Sequence, residues 1–343
     1  MRFFHTLGSV VLVLAMGTCA YAQASRVGGG NDSSAALFSD KGMPVPELKS
    51  PSLFHWTVRS TPAEQLAVAR EREARGELRG ARRAYDALVH EWPNAPEAVE
   101  AQLGVARMAA KKGMLRRAFA EYQYAVEFYS GQFNYDTVIE EQFALANQMR
   151  ADQGRGFLMF GGSDATVGEN VDMFRIILRN APAWDRAAEN FLMVGLIFEQ
   201  RGDYALAADA YEALMTRYPD SPERSWGVFR AAMARYAASM RVPRDESALR
   251  IAIFAIRYLQ REYPNHEEAE LIADRLGELE DRMTAMGFAR AEFYDRIRRN
   301  PSAALVMYRE FLRRYPDAQE APRAKQRIAE LTPIVAEQEA RKR

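Results

Sequence analysis

The chain has 343 residues, with 46 basic and 46 acidic side chains and a formal net charge of zero. That balance leaves no large field of one sign, which argues against nucleic acid or a polybasic lipid contact as the main partner. Hydrophobic residues at 48% suffice for an extended core, and one cysteine excludes a disulfide framework. In chain order, residues 1–22 open with Arg2, continue apolar through Met16 and end in Ala20-Tyr21-Ala22. This layout predicts a secretory signal peptide, and the apolar run is short for a membrane span. Cleavage after Ala22 would remove Cys19, whereas cleavage before Cys19 would leave it as a lipidated N-terminus. Met16-Gly17-Thr18 fits a lipobox poorly.

Residues 23–60 hold Gly28-Gly29-Gly30 and Ser33-Ser34, then Pro44, Pro46 and Pro51, and predict a flexible tether. Phe54 and Trp56 near its end are candidates for docking on the first repeat. Thr61-Pro62-Ala63-Glu64 combines an N-cap, a proline at the first helical position and an acid in the first turn, predicting a helix that runs to about Gly76. A second helix extends from Arg79 to Glu91, ended by Pro93. Gly113, Ala118 and Tyr122 then repeat Gly76, Ala81 and Tyr85 at one constant offset.

Four helix ends close on the pairs Trp92-Pro93, Tyr218-Pro219, Tyr263-Pro264 and Tyr315-Pro316. An alanine precedes each proline at a fixed distance (Ala81, Ala207, Ala252, Ala304), and a large residue lies between them (Tyr85, Tyr211, Ile256, Tyr308). Small and large residues at fixed offsets mark helical hairpins that bury their apolar faces by stacking on one another. The clearest unit is FLMVGLIFEQRGDYALAADAYEALMTRYP, where Gly195 permits close helix approach, Gly202 makes the turn, Ala207 faces the neighbour and Tyr211 fills the groove. It matches the tetratricopeptide pattern almost position by position. The fold expected is all-α, a tetratricopeptide superhelix of about five hairpins over residues 61–332, then a charged, fraying tail at 333–343.

Three places depart from the regular pattern. A glycine-rich insert, GRGFLMFGGSDATVGE, comes after the helix EEQFALANQMR, and its Phe157-Leu158-Met159-Phe160 cluster either folds beneath it or faces a partner. Residues 241–246 lengthen another turn, and Arg299-Asn300-Pro301 lacks the usual turn glycine.

Little chemistry resides in the side chains. His5, His55, His90 and His266 are scattered, no Gly-Lys-Ser/Thr or G-x-S-x-G is present, and Glu140-Glu141 and Glu267-Glu268 would point apart on a helix. No metal, cofactor or catalytic residue is expected, and the chain reads as non-enzymatic. With Ala81 and Ala118 as register marks, the concave face of the stack takes Leu66 and Arg70 from the first unit, and Leu103, Arg107 and Lys111 from the second. Apolar residues beside basic ones suit a peptide with a free C-terminal carboxylate or an aromatic end. The plainer alternative is a set of snorkelling cations on an exposed helix.

The stretch AIRYLQREYPNHEEAELIADRLGELEDRMTAMGFARAEFYDRIRRNPSAALVMYREFLRRYPDAQEA resembles the C-terminal half of the BamD family, tetratricopeptide lipoproteins of β-barrel assembly. The marks are Tyr263-Pro264, the charged helix Leu276–Met286, Phe293-Tyr294 and Tyr315-Pro316. This resemblance implies a periplasmic scaffold at the inner face of the outer membrane, held peripherally or by a lipid anchor. Such a scaffold delivers unfolded outer-membrane clients to a barrel-insertion subunit. It implies client contact at Arg70, Arg107 and Lys111, and contact with the barrel subunit around Arg290, Asp295 and Arg299. The alternative is a CpoB-like adaptor of envelope growth or division, although residues 23–60 lack the heptads that usually precede such repeats. An envelope enzyme would need a separate catalytic domain, and no stretch is left to house one.

Overall fold

A computed structural model of the chain describes Lys49 and residues 57–160 and 164–341, the side chains of 153–160 and 164–167 excepted. The expected signal segment with Cys19, most of the tether with Phe54 and Trp56, and the side chains of Phe157–Phe160 lie outside the described residues. The described residues form thirteen α-helices: α1 Pro62–Ala74, α2 Leu78–Glu91, α3 Pro96–Lys111, α4 Leu115–Phe128, α5 Tyr135–Phe160, α6 Asp164–Asn180, α7 Ala187–Arg201, α8 Tyr204–Arg217, α9 Arg224–Arg241, α10 Glu246–Glu262, α11 Ala269–Glu292, α12 Pro301–Arg314 and α13 Ala321–Ala340. A π-helical turn, Phe293–Ile297, prolongs α11. Each helix packs on the next in sequence, which makes six hairpins and a closing helix, one pair more than the spacing suggested.

The helix ends reflect local chemistry. Thr61 accepts the Glu64 backbone N–H at 3.3 Å, Asp245 accepts those of Ser247 and Ala248, and Asn300 accepts that of Ala303 at 3.0 Å. The α-helical region is disfavoured for a residue before proline. Trp92, Tyr218, Tyr263 and Tyr315 accordingly share one conformation, with φ between −133° and −130° and ψ between 62° and 67°. In each case the carbonyl of that aromatic residue then accepts from the N–H three residues on, closing the same tight turn. One rule thus writes four identical hairpin exits.

The second helices bury one stripe at helical spacing: Ala81, Ala84, Tyr85 and Leu88 on α2, and Ala207, Ala210, Tyr211 and Leu214 on α8. The opposing first helix must come close to the tyrosine. A Cβ on Gly195 would lie 2.2 Å from the Tyr211 ring, and one on Gly104 would lie 2.8 Å from the Tyr85 ring. The buried side chains form four clusters that succeed one another along the chain, spanning 66–129, 106–234, 228–283 and 288–335. A core segmented in this way is the mark of quasi-one-dimensional stacking.

Two expectations about the ends of elements change. The glycine-rich insert is mostly helical, since α5 runs to Phe160 and α6 begins at Asp164. The segment set apart as a charged tail from 333 is the last part of α13, which passes through Pro333 to Ala340. Leu331 and Val335 are both buried, one on each side of the proline, and hold the helix together across it.

Arg299 stands where Gly76, Gly113 and Gly202 stand in other hairpins and adopts their left-handed conformation, with φ +47°. An L side chain there costs about 1–2 kcal/mol, and glycine returns part of that as unfolded-state entropy. Arg299→Gly should therefore stabilise the chain by about 0.5–1 kcal/mol. Thermal unfolding checks this, and a lower melting temperature would contradict it.

Candidate functional site

The first helices of the first two hairpins, α1 and α3, lie side by side and bring their charged faces together. Glu73 on α1 accepts from Lys111 Nζ at 3.1 Å and Arg107 Nη2 at 3.3 Å, both on α3, and from the Tyr85 hydroxyl at 2.8 Å. Burial pulls the Glu73 carboxyl upward, but hydrogen bonds from Tyr85 and Lys111 and the charge of Arg107 outweigh it, so its pKa falls. Burial, and then Glu73, push the Tyr85 phenol up, so it stays a donor. Arg70 turns to a different acid, pairing through both arms of its guanidinium with Glu100.

The expected groove residues thus divide. Arg70, Arg107 and Lys111 reach the surface on one charged face, with side chains 58%, 39% and 53% exposed. Leu103 is half-buried against the large core cluster. Leu66 lines no open groove: it is buried beside Ala69, Ala81 and Tyr85, because α1 turns Gln65, Leu66 and Ala69 inward as one face. Glu73 and Glu100 complete the site and were not singled out in the sequence. The clue was available, since Glu73 and Arg107 are 34 residues apart, about one repeat.

At the other end, Arg290 is exposed and pairs with Glu246, and Arg299 is exposed in its turn. Asp295 points elsewhere. Its carboxylate receives Arg327 Nε and Nη2 at 2.6 and 2.8 Å and Tyr308 Oη at 3.3 Å, pinning the π-helical turn to α12 and α13. Asp295 is therefore a structural tie beside a cleft of about 410 Å³ that Phe288, Arg296 and Arg323 also line, rather than part of an open contact surface.

The hydrogen bonds from Arg327 hold the Asp295 carboxyl below its ordinary range. A carboxylate depressed in the folded state stabilises it above the unfolded value of about 4, and that stability is lost as pH falls through the folded value. Asp295→Asn should cost about 1–2 kcal/mol at neutral pH, low in the range for charged hydrogen bonds because Arg327 is 39% exposed. It should also flatten the acid limb of a stability-versus-pH curve. An unchanged curve would show that the tie contributes nothing.

Among the described residues no three or more His, Cys, Asp or Glu side chains converge as a metal site, and no helix is long and apolar enough to cross a membrane. The family model YfiO, described as an outer membrane lipoprotein, matches residues 196–331, and a tetratricopeptide-repeat model matches 66–133. A curated relative from Caulobacter vibrioides, outer membrane protein assembly factor BamD, is 24% identical over 163 residues, which cover 47% of this chain and 53% of the relative. The chain is a BamD-like tetratricopeptide-repeat protein.

It spans about half the length of that curated relative. Among solved structures, the MamA protein is 15% identical, covering 60% of this BamD-like chain and 95% of its own, with a TM-score of 0.31. A tetratricopeptide repeat protein from Parabacteroides merdae is 13% identical, covering 79% and 98%, with a TM-score of 0.32. On the BamD-like chain the two family matches fall on the two candidate regions. Residues 66–133 include the face formed by Arg70, Glu73, Glu100, Arg107 and Lys111, and residues 196–331 include Arg290, Asp295 and Arg299.

Proposed function

We propose that this chain is a non-enzymatic scaffold of outer-membrane β-barrel protein assembly, located in the periplasm at the inner face of the outer membrane. Its N-terminal repeats bind unfolded client polypeptide, and its C-terminal repeats engage the barrel-insertion subunit. The observation that carries the reading is the outer membrane lipoprotein model matching residues 196–331, on a chain whose described residues form stacked helical hairpins. The BamD relative supports the same process.

The α1–α3 face supports the client half. Three cations stand there against two acids, and a peptide's terminal carboxylate can exchange with Glu73 on Arg107 and Lys111. Arg107 and Lys111 are the accessible members of these pairs, and Glu73 keeps its hydrogen bond from Tyr85 when they turn to a ligand. For the partner half, Arg290 and Arg299 remain candidates, with Asp295 shaping the turn between them.

A tagged full-length chain, used as bait in detergent-solubilised envelopes, should recover a large outer-membrane barrel protein. Recovery of division or peptidoglycan enzymes without it would replace this reading with that of an envelope-growth adaptor.

A further inference from the structure

Lys49 comes from the segment before the repeats, yet it lies among three helices of the first two hairpins. Its ammonium donates to Asp86 Oδ1 on α2 at 3.2 Å, to Gln102 Oε1 on α3 at 3.0 Å and to Glu121 Oε2 on α4 at 2.7 Å. A lysine ammonium has three donors and no acceptor, so three acceptors on three helices match it fully. Its backbone N–H donates to the Tyr124 hydroxyl at 2.9 Å, and the Tyr124 ring lies 5.0 Å from Nζ.

The pocket is built as well as filled. Gln102 is fully buried, and its amide donates to the Glu121 backbone carbonyl at 2.7 Å and to the Glu121 carboxylate at 3.0 Å, which turns its own oxygen toward Lys49. The Asp86 and Glu121 side chains are only 7% and 11% exposed. Two carboxylates so withdrawn from water repel unless a cation lies between them. Arg82 at 3.7 Å from Asp86 and Arg117 at 3.4 Å from Glu121 flank the pair, each on the carboxylate oxygen that Lys49 leaves free.

We propose that Asp86, Gln102 and Glu121 form a lysine-binding site whose ligand is Lys49 of the same chain, strapping the N-terminal segment onto the first two repeats. At about 100° per residue, Arg107 and Lys111 project roughly 140° and 180° around α3 from Gln102. Lys49 therefore meets α3 on the side away from Arg107 and Lys111. Lys49 is thereby tied to the first two hairpins ahead of Thr61, the residue that caps α1. This assignment stands whichever partner the repeats bind.

Competitive acylation of the native full chain with limiting acetic anhydride, read residue by residue by mass spectrometry, tests it. Lys49 should react at least about tenfold more slowly than the exposed Lys325, a factor equal to about 1.4 kcal/mol. In D86N/E121Q the two rates should approach each other. Equal rates in the wild-type chain would overturn the proposal, as would continued protection of Lys49 in folded D86N/E121Q. If that double variant does not fold, the wild-type ratio and that of E121Q alone decide the matter.

Discussion

Tyr211→Ala should lower stability by about 3–5 kcal/mol, the cost of deleting a fully buried aromatic side chain whose surroundings cannot collapse. The ring is 0% exposed and belongs to the longest core cluster, which joins the second hairpin to the fifth. Collapse is blocked because α7 and α8 are already in contact over Gly195, so the vacated volume has no larger side chain to receive. In a stack held by nearest-neighbour contacts, damage in the middle also uncouples the two flanks. Urea unfolding monitored by circular dichroism should then show a broader or split transition as well as a lower midpoint. Gly195→Ala supplies the mechanistic control. Alone it should cost about 1–3 kcal/mol by overpacking. In the Tyr211→Ala background most of that penalty should vanish, because the ring that the new methyl group meets is gone. Additive penalties would place the strain elsewhere.

The features that specify the hairpins were legible because each is local. Trp92, Tyr218, Tyr263 and Tyr315 end their helices next to a proline, which disfavours the helical region for the residue before it. Thr61 starts α1 through its own side chain. The illegible features depend on tertiary context. Gly154 and Gly156 lower helix propensity by about 1 kcal/mol each, yet α5 runs through both. Pro333 stays within α13 because Leu331 and Val335 are buried on either side of it. The candidate site divides in the same way. Periodicity finds Arg107 and Lys111 on an outer face, but Leu66 needed the packing of α1, and Asp295 needed Arg327, 32 residues away. Nothing in the sequence near Lys49 separates a docked lysine from a solvated one, since all its partners lie at least 37 residues away.

Charge reversal of Arg107 and Lys111 should weaken the binding of a barrel-protein C-terminal peptide, one with an aromatic end and a free carboxylate, by about tenfold or more. The wild-type face has Arg70, Arg107 and Lys111 against Glu73 and Glu100 and is slightly cationic. R107E/K111E makes it strongly anionic and brings new carboxylates toward Glu73. Arg107 and Lys111 are exposed but Glu73 is only 20% exposed, so the fold should lose about 1–3 kcal/mol in all, and melting curves separate lost binding from lost structure. Glu73→Gln carries the sharper test. It removes the internal carboxylate that competes with the ligand while keeping an amide oxygen to accept from the Tyr85 hydroxyl, and it should tighten peptide binding. A peptide with an amidated end should bind equally weakly to the wild-type chain and to E73Q. Raising the salt concentration should erode the wild-type preference for the free carboxylate, since these groups are screened by solvent ions. Cations that merely lie along an exposed helix would give none of these changes. Unchanged affinity in both R107E/K111E and E73Q would remove the α1–α3 face as a client site while leaving the stacked hairpins intact.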